Sequence, residues 1–181
     1  KLAAIAISKK PVAKTNGSAK HHEPDASLAR SKINRKGLTA GAMAPDFPLP
    51  RINGGEFSLG DFQGGRLLLV FSDPNCGPCN ELGPHLEEIH RQRADLQVLM
   101  ISRRDAQATR AKAAKLGLNF PIVMQQKWEV SLQYGMFATP IAYLIGVQGV
   151  LLSDVAVGVE PILALAEQAS AVDRRSLAVS S

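Results

Sequence analysis

The chain has 181 residues, 45% of them hydrophobic and 20% charged, which fits one folded domain with a tail. No run approaches the roughly 18 apolar residues that cross a bilayer, no unit repeats as in a solenoid, and two cysteines cannot staple a scaffold or build a four-cysteine metal site. The formal net charge of +5 is uneven: residues 1–41 hold nine Lys and Arg against two Asp and Glu, leaving 12 against 14 for residues 42–181, too few cations for a nucleic-acid surface.

Residues 1–41 read as a basic flexible linker or anchor remnant. Their Lys, Ala, Ser, Asn and Gly bury too little apolar surface to offset ordering entropy. Leu2–Ile7 reads either as the end of a signal or membrane anchor or as a plain tail. The lysines after it would suit a cytoplasmic flank. Pro24 and Asp25 provide a start for a short helix reaching Arg35, and His21 and His22 read as solvated.

A single domain is expected over residues 42–173. Asn53-Gly54-Gly55 separates two short runs and marks a hairpin. Leu67–Phe71 (LLLVF) is a continuous apolar run, suited to a strand buried on both faces. Cys79, Leu82, Leu86 and Ile89 recur on one helical face, with Glu81, Glu87, Glu88 and Arg91 turned to water. Leu96–Ile101 is a strand and Ala106–Leu116 a helix that Gly117 can cap. Phe120–Met124 is a strand, Lys127–Tyr134 a short helix, and Ile141–Ile145 and Val150–Val157 two strands around a Gly146–Gly149 turn. Pro161 suits the first turn of a last helix over Glu160–Ala171, and residues 174–181 read as a frayed end. A hairpin followed by alternating strands and helices implies an α/β fold, a mixed central sheet with helices on both faces.

Both cysteines lie in Cys76-Gly77-Pro78-Cys79, after the buried strand and at a helix start. There Cys76 meets unpaired N–H groups and the positive end of the helix dipole, which favour the nucleophilic thiolate. Cys79 is one turn on, within reach of a disulfide. Gly77 allows the tight turn and Pro78 supplies a helical φ. Cys76 is therefore the expected attacking thiol, and Cys79 the buried resolving one. No metal is expected: His85 lies about 240° around the helix from Cys79, and His90 roughly 16 Å along it. Asp73 is expected to be a solvated loop carboxylate; placed close to Cys76 it would oppose thiolate formation. Ala138-Thr139-Pro140 precedes an apolar strand, where a proline can hold a cis bond or simply start the strand.

These pieces resemble the thioredoxin-like superfamily, and most of all the TlpA/ResA-type thiol–disulfide oxidoreductases of the redoxin (AhpC/TSA) group. The likeness runs from about Ala42 to Ala171 through Ala44-Pro45-Asp46-Phe47, Ser58-Leu59-Gly60-Asp61-Phe62, LLLVF, CGPC, Pro84, Phe120-Pro121 and Ala138-Thr139-Pro140. It implies a three-layer thioredoxin fold with an added N-terminal β-hairpin, a cis Thr139-Pro140 bond beside the cysteines as a substrate-binding element, and a helix kink at Pro84. It also implies dithiol–disulfide exchange with a partner protein. Buried carboxylates common in such proteins are absent: their positions hold Val70 and Leu82.

The expected function is thiol–disulfide exchange, acting as a reductant or redox carrier. The Cys76–Cys79 disulfide is the redox centre, and no other cofactor is expected. Expected partners are a client protein and an upstream electron donor. The expected setting is extracytoplasmic rather than cytoplasmic, with a membrane tether before Lys1 as a further expectation, and the expected state is monomeric. Two alternatives stand beside this. One is a thiol peroxidase, whose Pro-x-x-x-Thr-x-x-Cys signature is replaced here by Leu69 and Asp73. The other is a non-catalytic module with a structural disulfide.

Overall fold

The structure is a computed structural model and describes residues 36–62 and 65–179. The readings of Leu2–Ile7, of the helix at 24–35, of His21 and His22, and of a linker over the first 35 residues lie outside them.

The sheet is built around β3 (Arg66–Phe71). It pairs in parallel with β4 (Leu96–Arg103) and antiparallel with β6 (Ile141–Ile145). β5 (Ile122–Gln125) adds in parallel outside β4, and β7 (Ala156–Val157) antiparallel outside β6, giving the order β5-β4-β3-β6-β7. Because strand side chains alternate between faces, Leu68 and Val70 enter one core while Leu67, Leu69 and Phe71 enter the other. No polar residue fits between Leu67 and Phe71, which explains the uninterrupted apolar run.

On the first face lie helix α1 (Gly77–Gln92), through Leu82 and Leu86, and helix α4 (Val159–Val179), through Ile162, Leu165 and Ala169. Helix α2 (Ala106–Leu116) adds Ala113 to this core; Asp105 caps its start and Gly117, at φ 65°, its end. The opposite face carries the hairpin of β1 (Leu49–Pro50) and β2 (Glu56–Phe57), and the short helix α3 (Glu129–Gln133). This is the expected three-layer thioredoxin-like arrangement with an N-terminal hairpin.

Four readings change. Glu87 does not face water: it is buried, and accepts hydrogen bonds from the Asn119 backbone N–H at 2.7 Å and its side-chain amide at 2.9 Å. One turn earlier on the same helix, Gly83 packs closely against Leu116 and Leu118: a Cβ there would sit 3.0 Å from Leu116 Cδ1.

Val150–Val157 is not one strand. Val150 and Leu151 form isolated bridges to Met43 and Ile145, and regular pairing resumes only at Ala156. The chain bends between them, where Asp154 Oδ1 accepts from the Ala40 N–H at 2.9 Å.

The domain also begins before Ala42. The N–H groups of Leu38 and Gly41 donate to the carbonyls of Tyr134 and Leu151 at 3.2 and 2.9 Å. Tyr143 Oη donates to the Tyr134 carbonyl at 2.8 Å and accepts from the Leu38 N–H at 3.3 Å. Gly37, at φ +79°, passes so close that a Cβ would lie 2.8 Å from the Tyr143 oxygen. Finally, α4 continues to Val179, past the expected end, because Ala171–Val179 contains no Gly or Pro to stop it.

Burial alone would raise the Glu87 carboxyl, but the Asn119 amides, with His90 nearby, hold it below the ordinary 4.5. A lowered carboxyl contributes stability above its unfolded value and loses it as pH falls through the folded one. Glu87→Gln should therefore lower stability near neutral pH by about 1–2 kcal/mol. Urea unfolding should show the gap between the two proteins narrowing toward about pH 3. A gap that stays constant with pH would count against this role of Glu87.

Candidate active site

Beyond Phe71 the chain leaves the sheet at the carboxyl ends of β3 and β4. The Ser72 N–H still donates to the Ile101 carbonyl at 2.9 Å. Asp73 then turns the chain: its Oδ1 accepts from the Asn75 N–H at 2.8 Å, and its carbonyl accepts from the Cys76 N–H at 3.1 Å. Cys76 thereby becomes the N-cap of α1, with extended φ and ψ of −88° and 117° and Pro78 in the first turn. Its Sγ accepts from the Cys79 N–H at 3.2 Å.

The two cysteines are joined as a disulfide with a Cα–Cα distance of 5.2 Å. Their environments differ. Cys79 is 1% exposed on the buried face of α1, whereas Cys76 is half-buried. The Thr139-Pro140 bond is cis, and the Thr139 carbonyl lies 3.6 Å from Cys76 Sγ. In the disulfide this is a contact; only a reduced Cys76 has a proton to donate there. Among the described residues the Thr139 N–H has no hydrogen-bond partner.

The structure thus gathers Cys76, Gly77, Pro78, Cys79, Thr139, Pro140 and Asp73. Pro84 lies farther along α1, which runs through it as one continuous helix; Pro84 has no N–H to offer the Asn80 carbonyl. Val70 and Leu82 are buried apolar residues, so neither position supplies a carboxylate.

Asp73 corrects the sequence reading. It is 5% exposed, not solvated. Its Oδ2 lies 2.9 Å from Arg103 Nε and 3.6 Å from Arg104 Nε. The Arg103 Nε–H is not aligned on that oxygen, so the contact is an ion pair without a hydrogen bond. Lys112 Nζ donates to the Asp73 carbonyl at 3.1 Å. Burial pushes the Lys112 ammonium below its ordinary value, and the Asp73 charge partly restores it. The Arg103 guanidinium also lies over the Trp128 ring at 3.9 Å, a favourable cation–π geometry.

Sequence reasoning missed Arg103, Arg104, Lys112 and Trp128. The available signal was position: Arg103 closes β4 and Arg104 follows it at the carboxyl edge of the sheet, where α/β folds place their sites. With Asp73, Asn75, Cys76 and Thr139 they line a shallow pocket of about 270 Å³.

Removing the Asp73 charge strands buried Arg103. Asp73→Asn should destabilise the protein by about 2–4 kcal/mol, read from the urea midpoint at constant slope. A loss within about 0.5 kcal/mol would mean that solvent already screens the pair.

A model of the AhpC/TSA family matches residues 40–153. The thioredoxin-like protein YneN of Bacillus subtilis is 32% identical over 127 residues, 67% of this chain and 74% of the relative. The thiol-disulfide oxidoreductase ResA of Geobacillus thermodenitrificans is 30% identical over 115 residues, 62% of this chain and 66% of the relative. Among solved structures, the thioredoxin domain of a thiol-disulfide oxidoreductase from Bacteroides vulgatus superposes with a TM-score of 0.65 at 20% identity. That match covers 72% of this chain and 97% of the other and speaks for the fold. With a paired CGPC at the head of α1 and the family match across most of the domain, the chain belongs to the AhpC/TSA family, as a ResA-type thiol–disulfide oxidoreductase.

Proposed function

We propose that the chain transfers electron pairs to the disulfide of a client protein, with Cys76 as the attacking sulfur and Cys79 as the resolving one. The carrying observation is the asymmetry of the pair: Cys76 lines the open pocket while Cys79 is buried beneath it.

In the reduced protein the Cys76 thiolate attacks one client sulfur. The client S–S bond breaks, a Cys76–client S–S bond forms, and the other client sulfur leaves as a thiolate. The Cys79 thiolate then attacks Cys76 Sγ, closing the Cys76–Cys79 disulfide and releasing the second client thiolate. The two client thiolates take up protons; the client has gained two electrons and the pair has lost two. To restore the pair, one thiolate of an upstream dithiol attacks Cys76 Sγ and frees Cys79; the donor's second thiolate then attacks the donor sulfur of that mixed disulfide, releasing Cys76 and leaving the donor as a disulfide.

The chain's own groups favour the first step. The Cys79 N–H at 3.2 Å supports negative charge on Cys76 Sγ, as does the helix N-terminus. The Thr139 N–H is available to pair with the backbone of an extended client segment, which supports a substrate-binding role for Thr139 and Pro140. Gly77 and Pro78 form the first turn that holds the two sulfurs together. The Cys76–Cys79 dithiol itself carries the electron pair, so the exchange requires no other cofactor. The proposal further has the protein act as a monomer outside the cytoplasm, the setting the ResA resemblance implies and one where disulfides persist. Among the described residues no helix is long and apolar enough to cross a membrane.

Cys76→Ser should abolish reduction of insulin disulfides. Cys79→Ser should accumulate a mixed disulfide with the substrate, visible on a non-reducing gel and cleared by dithiothreitol. In the reduced wild type, iodoacetamide should modify Cys76 and spare Cys79, with an inflection below the free-thiol value of about 8.5. Full activity in Cys76→Ser would end this reading.

A further inference from the structure

The pocket beside Cys76 carries more positive charge than its own carboxylate balances. Arg103, Arg104 and Lys112 all contact Asp73. The neighbouring carboxylate of Asp105 is committed elsewhere, accepting from the N–H groups of Gln107 and Ala108 at the start of α2. Arg103 is largely buried, fixed between Asp73 and the Trp128 ring. Arg104 differs: its side chain is 61% exposed, and among the described residues Asp73, at 3.6 Å, is its one ionic or hydrogen-bonding partner.

The backbone at Arg104 is also unusual. Its φ is 69°, a left-handed conformation that disfavours side chains with a Cβ. It is the one non-glycine residue with positive φ among the described residues. A glycine would suit that backbone better, yet the position holds a long cation lining the same pocket as Cys76 and Thr139.

Resting on the exchange reaction proposed above, we infer that Arg104 is a specificity-determining residue that binds a carboxylate of the client chain next to its reactive cysteine. The favoured client is an extended segment with Asp or Glu beside the disulfide sulfur that Cys76 attacks. Its carboxylate meets the free donors of the Arg104 guanidinium while Arg103 and Lys112 balance Asp73. A client with Lys or Arg at that place meets repulsion instead. Arginine suits the role better than lysine because its planar fork can grip a carboxylate with two hydrogen bonds.

The test uses the reduced full chain and three peptides that differ only in the residue beside one cysteine: Asp, Gln or Lys. Each cysteine is joined to 2-thiopyridine, so attack on the peptide sulfur releases a chromophore. Rates are divided by those of dithiothreitol on the same peptides, which removes intrinsic reactivity. The Asp peptide should react about three- to fivefold faster than the Gln peptide, the size an exposed ion pair gives, and the Lys peptide slower. The preference should shrink toward unity as salt shortens the screening length. Arg104→Gln should erase the Asp-to-Gln ratio and Arg104→Glu should invert it. Arg104→Gly, which relaxes the backbone, should erase the ratio without lowering the Tm, separating recognition from folding.

A ratio near unity in the wild type, or one that survives in Arg104→Gly, overturns the inference while leaving the exchange reaction standing. If no peptide reacts faster than with dithiothreitol, the exchange reading and this inference fall together.

Discussion

A strand buried on both faces governs this molecule. β3 lies third of five in the sheet, and Leu67–Phe71 are at most 2% exposed. Every polar group with chemical work must therefore lie beyond the strand's end. The first residues free of that constraint are Ser72 to Cys76, and the edge where they emerge also receives the end of β4 and the start of β6. The cysteine pair, the cis Thr139-Pro140 bond and the two arginines meet there because the sheet brings three strand ends together.

Electrostatics refines that meeting point. Asp73 is buried in the loop that sets the position of Cys76, and a buried carboxylate is tolerable only with partners. Its partners bring three cations to one anion. A feature that in isolation would oppose thiolate formation thus assembles a net positive rim around the Cys76 sulfur. Trp128 completes the arrangement by holding the flat face of Arg103, leaving Arg104 as the exposed member of the pair.

Much of this was legible in the sequence. LLLVF announced a doubly buried strand, Asn53-Gly54-Gly55 a hairpin, Gly117 a helix end, and CGPC after a strand a thiol site, since each rests on a local rule. The cis bond needed the family resemblance, because spacing alone fits an ordinary strand start equally well. What stayed hidden depends on distant partners. Asp73 and Glu87 look solvated in a linear reading; Arg103 and Asn119 bury them, and neither is adjacent in sequence. Residues 37–41 look like linker because they bind through backbone amides, which composition does not reveal. The interruption within Val150–Val157 follows from the same docking, through Asp154 and the Ala40 N–H.

The central claim is that Cys76–Cys79 is a working redox pair poised to reduce clients. The most direct measurement is its equilibrium reduction potential against a graded series of reduced and oxidised dithiothreitol or glutathione. The account predicts a value near the thioredoxin range of about −270 mV. A value near about −120 mV would contradict it, because the pair would then donate its disulfide to clients instead of reducing them.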